Sequence, residues 1–192
     1  MSSLLSSFLL SFGIIFVAEL GDKSQLMAMT FAARYRPLVI LAAITAATAV
    51  VHLVSVGVGA ALGVAIPTHA ISVVAGVAFL GFAAWTLRGD RLDEDDEARA
   101  ARTDHSVFWT VAIAFFLAEL GDKTMLATIT LATDHGLVGT WLGSTLGMVA
   151  ADGLAILVGR LLGARLPERA IRIGAALIFL AFGVLLIVEG LG

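Results

Sequence analysis

Apolar residues run through the chain in long blocks, broken at a few short polar points. No formally charged residue occurs from Pro37 to Leu87. A helix crosses the hydrocarbon of a bilayer in about 20 residues, so this block holds two crossings. Pro67-Thr68 divides it into about 38–65 and 69–87, Pro just past a helix end being an ordinary stop signal. Upstream, 5–33 forms a further span, closed by Arg34-Tyr35-Arg36-Pro37. Downstream, spans fall at 107–133, 137–160 and 170–188, the last two separated by the turn from Gly163 to Arg169. The pattern predicts six membrane helices. The first apolar run has no positively charged region before it, unlike a cleaved secretory signal, and is read as a retained membrane helix.

Between the third and fourth spans the character changes abruptly. Residues 88–105 carry four arginines, seven acids and little apolar surface, the composition of a solvated linker. The flanking halves repeat each other. Phe16-Val17-Ala18-Glu19-Leu20-Gly21-Asp22-Lys23-Ser24 aligns with Phe116-Leu117-Ala118-Glu119-Leu120-Gly121-Asp122-Lys123-Thr124 at an offset of 100. The same offset pairs Leu26 with Leu126, Thr30 with Thr130, Gly59 with Gly159, Pro67 with Pro167 and Phe79 with Phe179. The organisation expected is a first three-helix repeat over 1–87, an acidic cytoplasmic linker over 88–106 and a second three-helix repeat over 107–192.

Three is odd, so the second repeat enters the bilayer in the opposite sense. Inverted repeats of this kind recur in secondary transporters, whose substrate sites lie near the midplane at the repeat interface. The fold class expected is therefore an all-α membrane protein of six transmembrane helices in two inverted three-helix repeats. All ten arginines fall at or beside the connections after spans one, three and five, and no Lys or Arg stands at the other connections or the termini. The positive-inside rule then places both termini outside the cytoplasm.

Composition sharpens this reading. Of 192 residues, 59% are hydrophobic and 14% charged, with a net charge of -3 and a mean hydropathy of +1.00. Soluble domains average about 45–50% apolar and about 25% charged residues, so an ordinary soluble enzyme is excluded. The absence of cysteine excludes disulfides, thiolate chemistry and cysteine metal sites. The few basic residues give no nucleic-acid footprint.

The chemistry lies in the charges left inside the spans. Glu19, Asp22 and Lys23 fall mid-way along the first span, and Glu119, Asp122 and Lys123 mid-way along the fourth. Charged side chains there are costly and face a bundle interior or a water-filled path. Glu and Asp three apart share a helical face, so each span is expected to aim two carboxylates at one point, and the inverted repeat to bring all four together. Four close carboxylates must share protons or bind cations. With both lysines they total -2, which one divalent ion or two protons neutralise. A static network, each Lys neutralising its neighbouring acid, is the structural alternative.

Ser24 and Thr124 are candidates to coordinate a cation or to brace a carboxylate. Gln25 offers an oxygen ligand, and Met125, its repeat partner, a soft thioether or simple packing. Gly21 and Gly121 either open the helix or allow close packing. Asp152, deep in the fifth span, and His52 at the equivalent position are candidates for proton relay. The glycines at 57–59 and 143–147 read as helix contacts, and Tyr35, Trp85, Trp109 and Trp141 as interface anchors.

Two Glu-Leu-Gly-Asp-Lys-Ser/Thr motifs, one in each three-helix half and separated by an acidic loop, resemble those of the calcium/manganese:proton exchangers of bacteria, chloroplasts and the Golgi. The resemblance spans essentially the whole chain, and neither core motif departs from the family pattern. It implies a cation site formed by Glu19, Asp22, Glu119 and Asp122, with Ser24 and Thr124 nearby, and export of manganese by short bacterial members. The compact length and missing targeting extension point to a bacterial inner membrane. The function expected is export of Mn²⁺ by proton antiport, with no resident cofactor and no enzymatic activity. Lys23, Ser24, Gln25, Lys123, Thr124 and Asp152 are supporting or proton-coupling residues. A calcium:proton exchanger, and a proton-coupled exporter of a small organic solute, are the alternatives. The partners are the divalent ion, protons and the lipid bilayer, with homo-oligomerisation open.

Overall fold

The computed structural model describes residues 2–65, 67–88, 107–162 and 168–191. The acidic linker beyond Arg88 and the turn at 163–167 lie outside them. The described residues form eight helices: α1 (Ser2–Glu19), α2 (Lys23–Arg34), α3 (Pro37–Ala65), α4 (Thr68–Arg88), α5 (Val107–Glu119), α6 (Lys123–Asp134), α7 (Leu137–Leu162) and α8 (Glu168–Leu191). Each of the first four has its counterpart 100 positions later. Among the described residues, only α3 over Pro37–Gly63 and α7 over Leu137–Arg160 are single helices long and apolar enough to cross a membrane. The pair α1–α2, counted as one, is a third.

The spans expected at 5–33 and 107–133 are not continuous. Each breaks just after its glutamate, and α1 and α2 meet at a bend of 74°. The break is written in the sequence. Gly21 and Gly121 take φ of +78° and +79°, the left-handed region that costs any other residue about 1–2 kcal/mol. Asp22 N–H donates to the Glu19 carbonyl at 3.1 Å and Asp122 N–H to the Glu119 carbonyl at 3.2 Å, closing each first half-helix. A Cβ on Gly121 would meet nothing within 4 Å. That glycine therefore serves the backbone turn, and close packing does not require it.

Packing follows the repeat. Helix α1 lies on α7 as α5 lies on α3, α2 lies on α7 as α6 lies on α3, and α4 pairs with α8. Close approaches give directions. Hypothetical Cβ atoms on Gly139 and Gly147 would fall 2.6 Å from the Leu4 and Phe12 carbonyl oxygens, so α1 and α7 run parallel. Between α3 and α7, Leu41 faces Gly153, Thr48 faces Met148 and His52 faces Thr145. The two repeat counterparts thus run antiparallel. Helices α4 and α8 do the same, with His69 near Gly190 and Leu80 near Gly183.

A residue can touch its own counterpart only near the axis that relates the repeats. Thr48 Oγ1 meets Met148 Sδ at 3.3 Å, and the Phe79 and Phe179 rings meet at 5.8 Å. These contacts mark the axis. Glycines let the backbones close in, as sequence patterning in membrane helices anticipates. Gly59, Gly143 and Gly147 make such contacts, whereas Gly57, expected to join them, faces open space.

The distribution of polarity is the reverse of a soluble protein. Glu19, Glu119, Asp152 and His52 have no exposure, while Leu9 and Val188 are 58% and 66% exposed. Core packing is tested by two substitutions. Gly13→Ala adds a Cβ into open space and gains helix propensity of about 0.5–1 kcal/mol. Gly147→Ala drives a Cβ onto the Phe12 backbone, an overpacking of about 1–3 kcal/mol. A thermal melt of the detergent-solubilised chain should show Gly13→Ala unchanged or higher, and Gly147→Ala lower by roughly 2–10 °C.

Candidate functional site

The two helix breaks meet at the axis. Glu19 is the last residue of α1 and Asp22 the N-cap of α2, so they do not share one helical face, as their spacing had led us to expect. The bend brings them together instead. One ligand atom from each of Glu19, Asp22 and Glu119 lies within 4.8 Å of the others, and all three residues are buried. Asp122 occupies the equivalent N-cap of α6 and is buried too.

Asp at an N-cap normally accepts from its own helix. Neither Asp22 nor Asp122 makes that side-chain cap hydrogen bond. Both side chains are used across the repeat boundary. Lys123 Nζ donates to Asp22 Oδ1, and Lys23 Nζ stands 3.8 Å from Asp122 Oδ1. Each lysine thus reaches an aspartate of the other repeat. The crossed pairs are also unequal, since the Lys23 side chain is 24% exposed and that of Lys123 only 2%.

Ser24 and Thr124 brace the glutamates. Ser24 Oγ donates to Glu19 Oε1 and Thr124 Oγ1 to Glu119 Oε2 at 2.9 Å. Each carboxylate of the central three therefore has one oxygen held by a neighbour. The others, Glu19 Oε2, Asp22 Oδ2 and Glu119 Oε1, are buried with no hydrogen-bond partner among the described residues. Two unit negative charges at 4.8 Å repel by about 3–4 kcal/mol at an effective dielectric near 20. Three carboxylates with one lysine inside the cluster carry -2 when ionised, so a divalent cation or protons must join them.

Gln25 and Met125 have a different use from the one expected. Gly21 N–H donates to Gln25 Oε1 at 2.8 Å, and Gly121 N–H to Met125 Sδ at 3.2 Å. Both side chains tie down the turn. Gln25 Nε2 also donates to the Ala151 carbonyl at 2.9 Å, fastening the first break to α7 beside Asp152. Sequence mismatch at this position hides a shared role, because amide and thioether can both accept from the same backbone N–H. Asp152 is buried with both oxygens unpartnered among the described residues, and His52 Nδ1 lies 3.5 Å from Thr145 Oγ1.

The profile of the divalent cation/proton antiporter GDT1 family matches residues 7–94 and 107–192. A Vibrio cholerae protein named "Putative manganese exporter" is 35% identical over 174 residues, covering 89% of this chain and 85% of its own. The Arabidopsis thaliana GDT1-like protein 5 is 29% identical over 226 residues, 96% of each chain. The rice chloroplastic GDT1-like protein 2 is 29% identical over 208 residues, 93% of this chain and 60% of the relative. No solved structure matches. By its profile match and its relatives, the chain belongs to the GDT1 family of divalent cation/proton antiporters.

Proposed function

We propose that this antiporter exports divalent manganese from a bacterial cell in exchange for entering protons. The observation that carries the reading is the meeting of Glu19, Asp22 and Glu119, each with one braced or paired oxygen and one unpartnered oxygen. Carboxylate and hydroxyl oxygens suit hard divalent ions, manganese among them. Glu19, Asp22, Glu119 and Asp122 form the cation site in this reading, supported by Ser24 and Thr124. The lysines hold the aspartates, and Asp152 is the proton-coupling residue beside them. Protons compete for the same oxygens, so release of the metal and uptake of protons are one exchange. A membrane-transport role follows from the family.

The membrane arrangement belongs to the same proposal. The halves 1–87 and 107–192 are inverted three-helix repeats, with six spans in all when each broken pair counts as one, and 88–106 joins them in the cytoplasm. Two observations support it. Counterpart helices α3 and α7, and α4 and α8, run antiparallel. Arg34, Arg36 and Arg160 line one cavity of about 540 Å³ at a single end of the bundle, and that end is assigned to the cytoplasm of the inner membrane. The termini are then extracytoplasmic.

Calcium is the second reading, and Met125 favours keeping it. With its sulfur accepting from Gly121 N–H, the thioether is not a spare soft donor, and the remaining oxygens suit calcium as well as manganese.

Flux in proteoliposomes under an imposed pH gradient tests the proposal. Glu19→Gln or Glu119→Gln should abolish Mn²⁺ movement and its opposite proton movement together, and unchanged metal flux in both variants would sink the site. Ser24→Ala and Thr124→Ala remove only the brace, so Mn²⁺ affinity should weaken by about 10–100-fold, read by isothermal titration. Lowering the pH should weaken Mn²⁺ binding in the wild-type chain, because a protonated carboxyl gives up its charge on the metal.

A further inference from the structure

The two halves share a backbone but not a lining. Along α1, Ser7, Ser11, Ile15 and Glu19 follow at intervals of four, and along α7 Thr140, Ser144, Met148 and Asp152 do the same. All eight are buried. Residues four apart lie on one helix face, one turn or about 6 Å further along. The two helices run parallel and are in contact, with Gly136 N–H donating to Ser7 Oγ at 3.0 Å and Ser11 packed at Gly143. Both columns thus begin in hydroxyls at the end carrying the amino terminus and finish on a carboxylate at the site.

The counterpart columns are apolar over the same stretch. Ser7, Ser11, Thr140 and Ser144 correspond to Val107, Val111, Ile40 and Ile44. Ile40, Ile44 and Val111 are fully buried in one hydrophobic cluster, with Val107 packed against it. Ser and Thr in a membrane helix ordinarily donate to the carbonyl four residues back, as Thr45, Ser55 and Thr128 do here. Ser11, Thr140 and Ser144 do not, and their buried hydroxyls have no partner among the described residues.

We infer that the α1–α7 seam is a hydroxyl-lined path by which water and the divalent cation pass between the carboxylate site and the end of the bundle carrying the amino terminus. The counterpart seam of α3 and α5 is a dry apolar seal. Desolvating a polar group in hydrocarbon without a partner is unfavourable, and water or a hydrated ion in the seam supplies that partner. Hydroxyl oxygens are hard donors matched to the same ions as the carboxylates, and carry no charge to trap an ion in transit. The seam rests on the transport reading and assigns its outward half-path, given extracytoplasmic termini.

The chain has no cysteine, so single cysteines report without background. Ser11→Cys, Ser144→Cys, Ile44→Cys and Val111→Cys variants of the full chain in proteoliposomes are treated with a charged methanethiosulfonate reagent, which reacts only with a hydrated thiolate. Ser11→Cys and Ser144→Cys should react at least about tenfold faster than the two apolar-seal variants. Equal rates, or faster reaction at Ile44→Cys and Val111→Cys, overturn the seam. Separately, Ser144→Val and Ser11→Val should lower Mn²⁺ flux while Ser144→Thr, which keeps the hydroxyl, retains it. Wild-type flux in both valine variants also overturns it. The two readings fail separately: the expected labelling of the cysteine variants together with no metal movement by the wild-type chain defeats the manganese assignment and leaves the water path, whereas wild-type metal flux with equal labelling of the four variants defeats the path alone.

Discussion

The constraint on which the rest depends is the concentration of ionisable groups at a point from which water is excluded. Glu19, Asp22, Glu119, Asp122 and Lys123 are all buried, and each ion moved from water into a low-dielectric interior costs several kcal/mol before any pairing. The fold answers in three ways. It breaks two helices at the site, so backbone and side chains from four helix ends are available there. It crosses the lysines, so that an aspartate of each repeat is held by the other repeat. It braces each glutamate with the hydroxyl five residues on. What remains, when the carboxylates are ionised, is negative charge that a divalent cation or protons would relieve.

The crossed pairs also tie the two repeats to each other. Pairing across the axis makes neither half complete alone, and the contacts between counterparts at Thr48 and Met148 and at Phe79 and Phe179 pin the same axis with packing. Yet the symmetry is not kept everywhere. Lys23 is partly exposed where Lys123 is not, His52 stands opposite Asp152, and serine and threonine stand opposite isoleucine and valine.

Much of this was legible in the chain itself. Glu-Leu-Gly-Asp-Lys twice in register, in otherwise apolar blocks, pointed to the candidate site and related the halves, because charge in a membrane span is too costly to be incidental. What periodicity could not disclose was the break. A continuous helix through Glu19 and Asp22 and a bent one have the same hydropathy, and only the φ of Gly21 and Gly121 separates them. For the same reason the helical-face reading failed, and the convergence it aimed at arises from the bend. The crossed lysine pairs were illegible because nothing local distinguishes the adjacent aspartate of the same motif from one 101 residues away. Gln25 and Met125 looked like a mismatch of ligand chemistry, and share one backbone task.

An inverted repeat with identical halves would present the same barrier to an ion on either side of the site. Hydrating one half-path and sealing the other with Ile40, Ile44 and Val111 changes that balance without touching the ligands. Mass action still fixes the direction of net flux, since a passive exchanger cannot bias an equilibrium between two compartments. The lining instead sets the energies of the states through which exchange passes. Opening the apolar seal exposes hydrocarbon to water, whereas wetting the hydroxyl seam satisfies groups that are otherwise unpartnered. The two gates therefore differ in cost even where the backbone is symmetric. The departure from the repeat is found in what lines the way to the candidate site, while its Glu-Leu-Gly-Asp-Lys core is kept in duplicate.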